Sequence, residues 1–302
     1  MPCGVFMIGR NMWWYLLLFV PVAGVIWLFY EWMQHTLVQY TSTAVELQKL
    51  PQNTELRICL MSDLHNNRKR FDKLVKRIFD FAPDMILLAG DFVDKHKTEN
   101  LQAENFFASL SDLGVPMFYS MGNHESSLKE KHPEEWQNYE KKIRGSAYLL
   151  DNSGAYLQTH PGIYISGLSL PKEYYKKGRL CKSADCLPEL FVPENSFHIM
   201  MAHNPEYATL YEKYHADFIV SGHLHGGLLR LPGIGGVVSP RLRLPEGCDA
   251  GLATLSEDRF MYVSRGLGSH TIPLRFFNRV EVNFLVLKGT GKTPVQKETE
   301  ME

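Results

Sequence analysis

Asp84-Met85-Ile86-Leu87-Leu88-Ala89-Gly90-Asp91-Phe92-Val93-Asp94 opens as a near-continuous apolar run and ends in a polar loop. Such a run is what a strand buried on both faces of an α/β protein shows. The Gly90-Asp91-x-x-Asp94 that follows places two carboxylates just past the strand's carboxyl end, where sheets of this class bind ligands.

The same pattern repeats outward in both directions. Leu56–Ser62 is a short apolar strand that runs into Asp63-x-His65, and Phe71–Phe81 has helical spacing stopped by Pro83. Leu101–Leu113 reads as a helix, Val115–Ser120 as a strand and Glu134–Arg144 as a helix. Ile163–Leu168, Phe197–Ala202, Asp217–Ser221, Phe260–Ser264 and Val280–Leu287 are further strands, with a helix over Tyr207–Tyr214. Alternating strands and helices predict an α/β fold, and the later hairpin-like strands predict mixed sheets.

Five polar motifs sit at strand ends: Asp63-x-His65, Gly90-Asp91-x-x-Asp94, Gly122-Asn123-His124-Glu125, Ala202-His203-Asn204-Pro205 and Gly222-His223-Leu224-His225-Gly226-Gly227. Loops at one sheet edge can converge on one point. Asp63, His65, Asp91, Asn123, His203, His223 and His225 then form a nitrogen and oxygen donor set without thiolate, suited to Mn, Fe, Zn or Co. Seven ligands exceed one tetrahedral ion and fit two if a carboxylate bridges. Gly222-His223-Leu224-His225-Gly226-Gly227 is a strong signal by itself, whereas each of the other motifs alone has a plain structural reading, a turn or a satisfied core histidine. Their joint occurrence does not.

This order of motifs resembles the calcineurin-like metallophosphoesterase superfamily, over about residues 55–288. Gly222 to Asn283 is similar to its membrane-associated branch, which includes phosphodiesterases and UDP-2,3-diacylglucosamine pyrophosphatase-like enzymes. Leu224 and Leu228 depart from the Thr and Gln more usual there. The resemblance implies a four-layer αββα sandwich of two mixed β-sheets flanked by helices. It implies two divalent ions, one on Asp63, His65, Asp91 and His225, the other on Asp91, Asn123, His203 and His223. His124 would be the acid that meets the leaving group, with Asp94 orienting it. The implied reaction is hydrolysis of a phosphodiester or pyrophosphate by in-line attack of a hydroxide bridging the ions, which lower its pKa and offset the phosphate charge. Alternatives are a phosphomonoesterase or nuclease of the same fold, or a scaffold without turnover.

Arg68, Tyr174 and Lys177 are candidate substrate contacts, the last two in a long loop over 171–195. Arg265 and Arg275 read as structural ion pairs. Cys181 and Cys186 are five apart, and whether they pair is left open.

The chain has 302 residues, 45% hydrophobic and 22% charged, with a net charge of −1. This excludes a disordered protein and disfavours nucleic acid as partner, since such binders are strongly basic; no obligate protein partner is implied. Trp13–Tyr30 is an uncharged run flanked by aromatic residues, roughly 27 Å long as a helix, and predicts a transmembrane anchor. The expected organisation is a cytoplasmic 1–12, an anchor over 13–30, a juxtamembrane stalk over 31–53, an extracytoplasmic catalytic domain over 54–288 and a disordered tail over 289–302. A substrate that is lipid-linked or a nucleotide sugar would follow from the anchor.

Overall fold

The computed structural model describes residues 9–67, 71–97, 99–176, 181–231, 234–238, 248–269 and 274–291, with side chains of the first helix from Phe19 onward. Arg68 and Lys177 fall outside these residues, as do Cys3 and the tail beyond Gly291.

Two six-stranded mixed sheets form the body. Numbered in chain order, the first contains β1 (Gln39–Leu47), β2 (Glu55–Met61), β3 (Met85–Ala89), β4 (Met117–Ser120), β5 (Tyr148–Leu150) and β14 (Glu281–Gly289), in the spatial order β1-β14-β2-β3-β4-β5. The second contains β6 (Ser153–Tyr156), β7 (Ile163–Leu168), β8 (Phe197–Ala202), β9 (Phe218–Ser221), β12 (Gly251–Ser256) and β13 (Arg259–Val263), in the order β12-β13-β9-β8-β7-β6. A small hairpin, β10 (Leu229–Leu231) with β11 (Gly235–Val238), stands apart. β2, β3, β4 and β5 run parallel in one sheet, and β7, β8 and β9 in the other. Their carboxyl ends therefore gather at common edges.

The apolar runs are buried on both faces, as their lack of alternation predicts. Ile58, Leu60, Met85 and Leu87 meet Ile165, Ile199, Met201 and Val220 between the sheets. Cys59, Met61, Ile86 and Leu88 face the other way, against Leu74 and Ile78 of α2 (Phe71–Phe81), Phe106 and Leu110 of α3 (Leu101–Ser111), Leu128 of α4 (Asn123–Lys131), and Trp136 and Ile143 of α5 (Pro133–Arg144). The outer face of the second sheet is covered differently. Met200, Ile219 and Met261 pack under Tyr207, Tyr211 and Tyr214, from two 3-10 turns over Pro205–Tyr207 and Leu210–Tyr214. The helix expected over 207–214 is these two turns, the second stopped by His215 in the left-handed region at φ 51°. Among the described residues, α-helices thus cover one sheet, and turns with irregular chain cover the other.

The N-terminal reading is corrected. Gly9–Thr36 is one helix, α1, but among the described residues no helix is long and apolar enough to cross a membrane. This overturns the transmembrane anchor, and with it the single-pass topology and the extracytoplasmic placement. The side chains of Phe19–Phe29 are largely exposed. Beyond them Glu31 and Gln34 are buried in the protein body. The stalk segment also differs: Gln39–Leu47 is the edge strand of the first sheet, parallel to β14. Cys59, Cys181, Cys186 and Cys248 are all free thiols.

His198 lies on β8 with its Nε2 2.7 Å from Ser166 Oγ and is almost fully buried. Burial pushes its pKa down to about 4. The unfolded chain takes up this proton near pH 6.5, the folded one only near 4, so folding stability is complete above pH 6.5 and falls as pH drops toward 4. The loss from this residue is about 3 kcal/mol. Urea unfolding between pH 7.5 and 4 should show His198→Gln losing less stability than wild type by about that amount. Parallel curves would remove His198 as a source of acid sensitivity.

Candidate metal centre

Five strand ends deliver the seven predicted donors to one place. Asp63 and His65 follow β2, Asp91 follows β3, Asn123 opens α4 after β4, His203 follows β8, and His223 and His225 follow β9. Asp63, His65, Asp91, His223 and His225 all take left-handed backbone, with φ between 50° and 69°. Non-glycine residues adopt this region rarely and at a cost of about 1–3 kcal/mol, which the surrounding structure must sustain. Gly122 and Gly222 allow the closest approaches: a Cβ on the first would overlap the Asp91 carboxylate, and one on the second the Asp63 carboxylate.

His203 Nε2 lies 3.1 Å from Asp91 Oδ2 and 3.8 Å from Asp63 Oδ1. His225 Nε2 is 3.4 Å from Asp63 Oδ1 and 3.2 Å from His65 Nε2. Three overlapping groups of donors could hold an ion: Asp63, His65 and His225; Asp91, His203 and His223; and His65, Asp91 and His124. Asp91 belongs to two of them. Backbone amides steady both carboxylates: His124 N donates to Asp91 Oδ1 at 2.7 Å, and His223 N to Asp63 at 3.1 Å. Burial pushes the Asp63 pKa up to about 7, with the Asp91 charge adding to it and His203 opposing. Burial works to raise Asp91 as well, but His203 and His124 outweigh it and hold the carboxyl well below the usual range. Burial disfavours the charged form of His203, yet Asp91 and Asp63 lift its pKa to about 10.

The donor set fits divalent cations. Two buried carboxylates flank the His203 ring nitrogen, and among the described residues neither forms an ion pair with Lys or Arg. Asn123 Oδ1 is buried without a hydrogen-bond partner, a lone pair left for an ion. All donors are nitrogen or oxygen.

His124 sits with its ring edge-on to His65, centroids 4.4 Å apart. Its Nδ1 accepts from Lys95 N at 3.2 Å, so the neutral ring carries its proton on Nε2. Asp94, expected to orient this ring, stands off at 4.0 Å from Nδ1; its carboxylate accepts from His96 N instead. Tyr174 is turned into its own loop, its hydroxyl donating to Cys186 O at 2.7 Å. Its neighbour Tyr175 is the residue at the centre, edge-on to His223 at 5.1 Å between centroids. Arg265 pairs with Glu281 as expected. Arg275 does not pair: among the described residues its guanidinium meets carbonyl oxygens and His225 Nδ1.

Glu125, the last residue of the Gly122-Asn123-His124-Glu125 motif, carries a role that the donor chemistry does not predict. Its buried carboxylate accepts from Asp91 N, Phe92 N and Gly122 N at 2.8 to 2.9 Å, from Val93 N at 3.2 Å and from Tyr119 OH at 2.5 Å. It clips the loop after β3 to the start of α4. An acid three residues past a helix N-cap is half of a capping box, the signal that could have found it. Lys95 acts through its backbone and leaves no such signal. Glu125→Ala strands four buried amides and should lower unfolding free energy by about 3–5 kcal/mol, Glu125→Gln by less, in urea titrations. A loss under about 1 kcal/mol for the alanine variant would contradict the clip.

The family model for calcineurin-like phosphoesterases matches residues 56–227. An uncharacterized metallophosphoesterase of Aquifex aeolicus is 26% identical over 275 residues, 87% of this chain and 96% of its own. UDP-2,3-diacylglucosamine pyrophosphatase LpxG of Chlamydia muridarum is 25% identical over 309 residues, covering 87% of this chain and 93% of its own. Phosphodiesterase YaeI of Escherichia coli is 28% identical over 237 residues, covering 76% and 82%. A family match over more than half the chain, on a fold whose strand ends carry the donors, makes this chain a member of the calcineurin-like phosphoesterase family and a metal-dependent hydrolase.

Proposed function

We propose that the chain hydrolyses a phosphodiester or pyrophosphate bond at a two-cation centre by in-line displacement. The observation that carries this is the overlap of the donor groups: His65 joins the Asp63 and His225 group to Asp91, and Asp91 in turn joins His203 and His223. In this reading Asp63, His65, His225 and Asp91 hold one ion, and Asp91, Asn123, His203 and His223 the other, with Mn, Fe or Zn as the metals. The bound cations supply Lewis acidity, lowering the pKa of water and offsetting phosphate charge. A diester leaves as an alkoxide and needs a proton. His124 gives it from Nε2, since Lys95 N–H occupies Nδ1. The bond class is further supported by the two relatives named as a phosphodiesterase and a pyrophosphatase.

The test is to strip the full chain with a chelator, add back Mn, Zn, Fe or Mg, and follow a chromogenic phosphodiester beside a phosphomonoester. Metal should restore diester turnover in preference to monoester, and Asp91→Asn should abolish it. His124→Ala should cost about 10²–10⁴-fold, and more for alkyl than for nitrophenyl leaving groups. Turnover of the monoester alone, or of neither with any metal, would overturn the proposal.

A further inference from the structure

Helix α1 and the segment 274–281 both lie outside the stretch that matches the family, yet they meet behind His225. Four backbone amides of that segment donate to α1. Arg275 N reaches Glu31 Oε2 at 3.2 Å, Phe277 N reaches Tyr30 OH at 2.6 Å, Asn278 N reaches Gln34 Oε1 at 3.1 Å, and Val280 N reaches Gln34 O at 3.1 Å. Trp27 stacks on Phe276 and Tyr30 meets it tilted, each with centroids 5.5 Å away. The amides of Asn278 and Arg275 are buried, so α1 supplies acceptors that the segment otherwise lacks.

The segment in turn grips the loop that carries His225. Asn278 Nδ2 donates to His225 O at 2.7 Å and to Gly227 O at 2.6 Å. Phe276 N donates to Leu228 O, and Arg230 N to Phe276 O, both at 3.0 Å. Arg275 Nη2 donates to Gly268 O at 2.6 Å and lies 3.2 Å from His225 Nδ1. Gly268 N donates to Asp63 O at 2.6 Å. Contacts therefore run unbroken from α1, through Arg275 and Asn278, to Asp63 and His225. Asp63 then accepts from His223 N at 3.1 Å and lies 3.8 Å from His203 Nε2, so the second donor group is reached one step further on.

We infer that Glu31 and Gln34 of α1 are positioning residues for the ion held by Asp63, His65 and His225, and act on it more strongly than on the ion of Asp91, His203 and His223. This rests on the two-cation reading above. Loss of a hydrogen-bonding partner behind a ligand typically weakens metal binding by about 10–100-fold.

The experiment is calorimetric titration of manganese into the chelator-stripped full chain. His225→Ala identifies which binding step belongs to the Asp63 group. Glu31→Ala and Gln34→Ala should weaken that step about 10–100-fold and the other by less. Glu31→Gln, whose amide oxygen still accepts from Arg275 N, should stay near wild type. Asn278→Ala removes only the grip on the His225 loop and should reproduce the selective loss, which keeps the test alive should a helix variant fail to fold. Equal weakening of both steps, or no change in either, would overturn the inference. Wild type binding fewer than two ions overturns the two-cation reading itself, and this inference with it.

Discussion

Asp63 and Asp91 are carboxylates with almost no accessible surface, set within one cluster of histidines. Taking such groups out of water costs several kcal/mol each unless charge and hydrogen bonds replace the solvent. Much of the molecule is arranged to meet that cost. His203 sets its Nε2 between them, 3.1 Å from Asp91 and 3.8 Å from Asp63. The amides of His124 and His223 supply hydrogen bonds, and they can do so only because the chain turns sharply after each strand into left-handed backbone. What remains uncompensated is negative, and it is the reason divalent cations suit the site.

Those turns need a rigid base. The two sheets provide it by burying β2, β3, β8 and β9 on both faces, which fixes where each strand ends. Glu125 then ties the loop after β3 to the loop after β4 through one carboxylate. Had that acceptor been missing, four buried amides beside Asp91 would compete for other partners. The strained ligand conformations are sustained from outside the donor set.

The parts legible in sequence are those where chemistry and periodicity coincide in one short stretch. Met85–Ala89 followed by Gly90-Asp91 reads as strand and ligand together, and Gly222-His223-Leu224-His225 reads the same way. The edge strand β1 was missed because its polar Gln, Ser and Thr residues hide the alternation that buries Val45 and Leu47. Lys95 was missed because it serves through a backbone amide, which carries no residue signal. Arg275 was read as an ion pair from its charge, but its partners are carbonyls set by tertiary packing. The anchor expected over 13–30 rests on apolar residues alone, within a helix that spans Gly9–Thr36. The polar residues of that helix were the informative ones: Glu31 and Gln34 are each buried and each bonded to residues more than 240 positions away.

A centre with two donor groups can be braced as one body or as two. Here the braces differ in origin. Asp91 and the start of α4 are held by Glu125, the last residue of the Gly122–Glu125 motif, across 34 positions of chain. Asp63 and His225 are held through Gly268, Arg275 and Asn278, and behind them by α1, whose bonds to that segment span 244 positions. The second brace closes the longer loop and carries the larger loop-closure entropy. The two donor groups are thus braced from different parts of the chain.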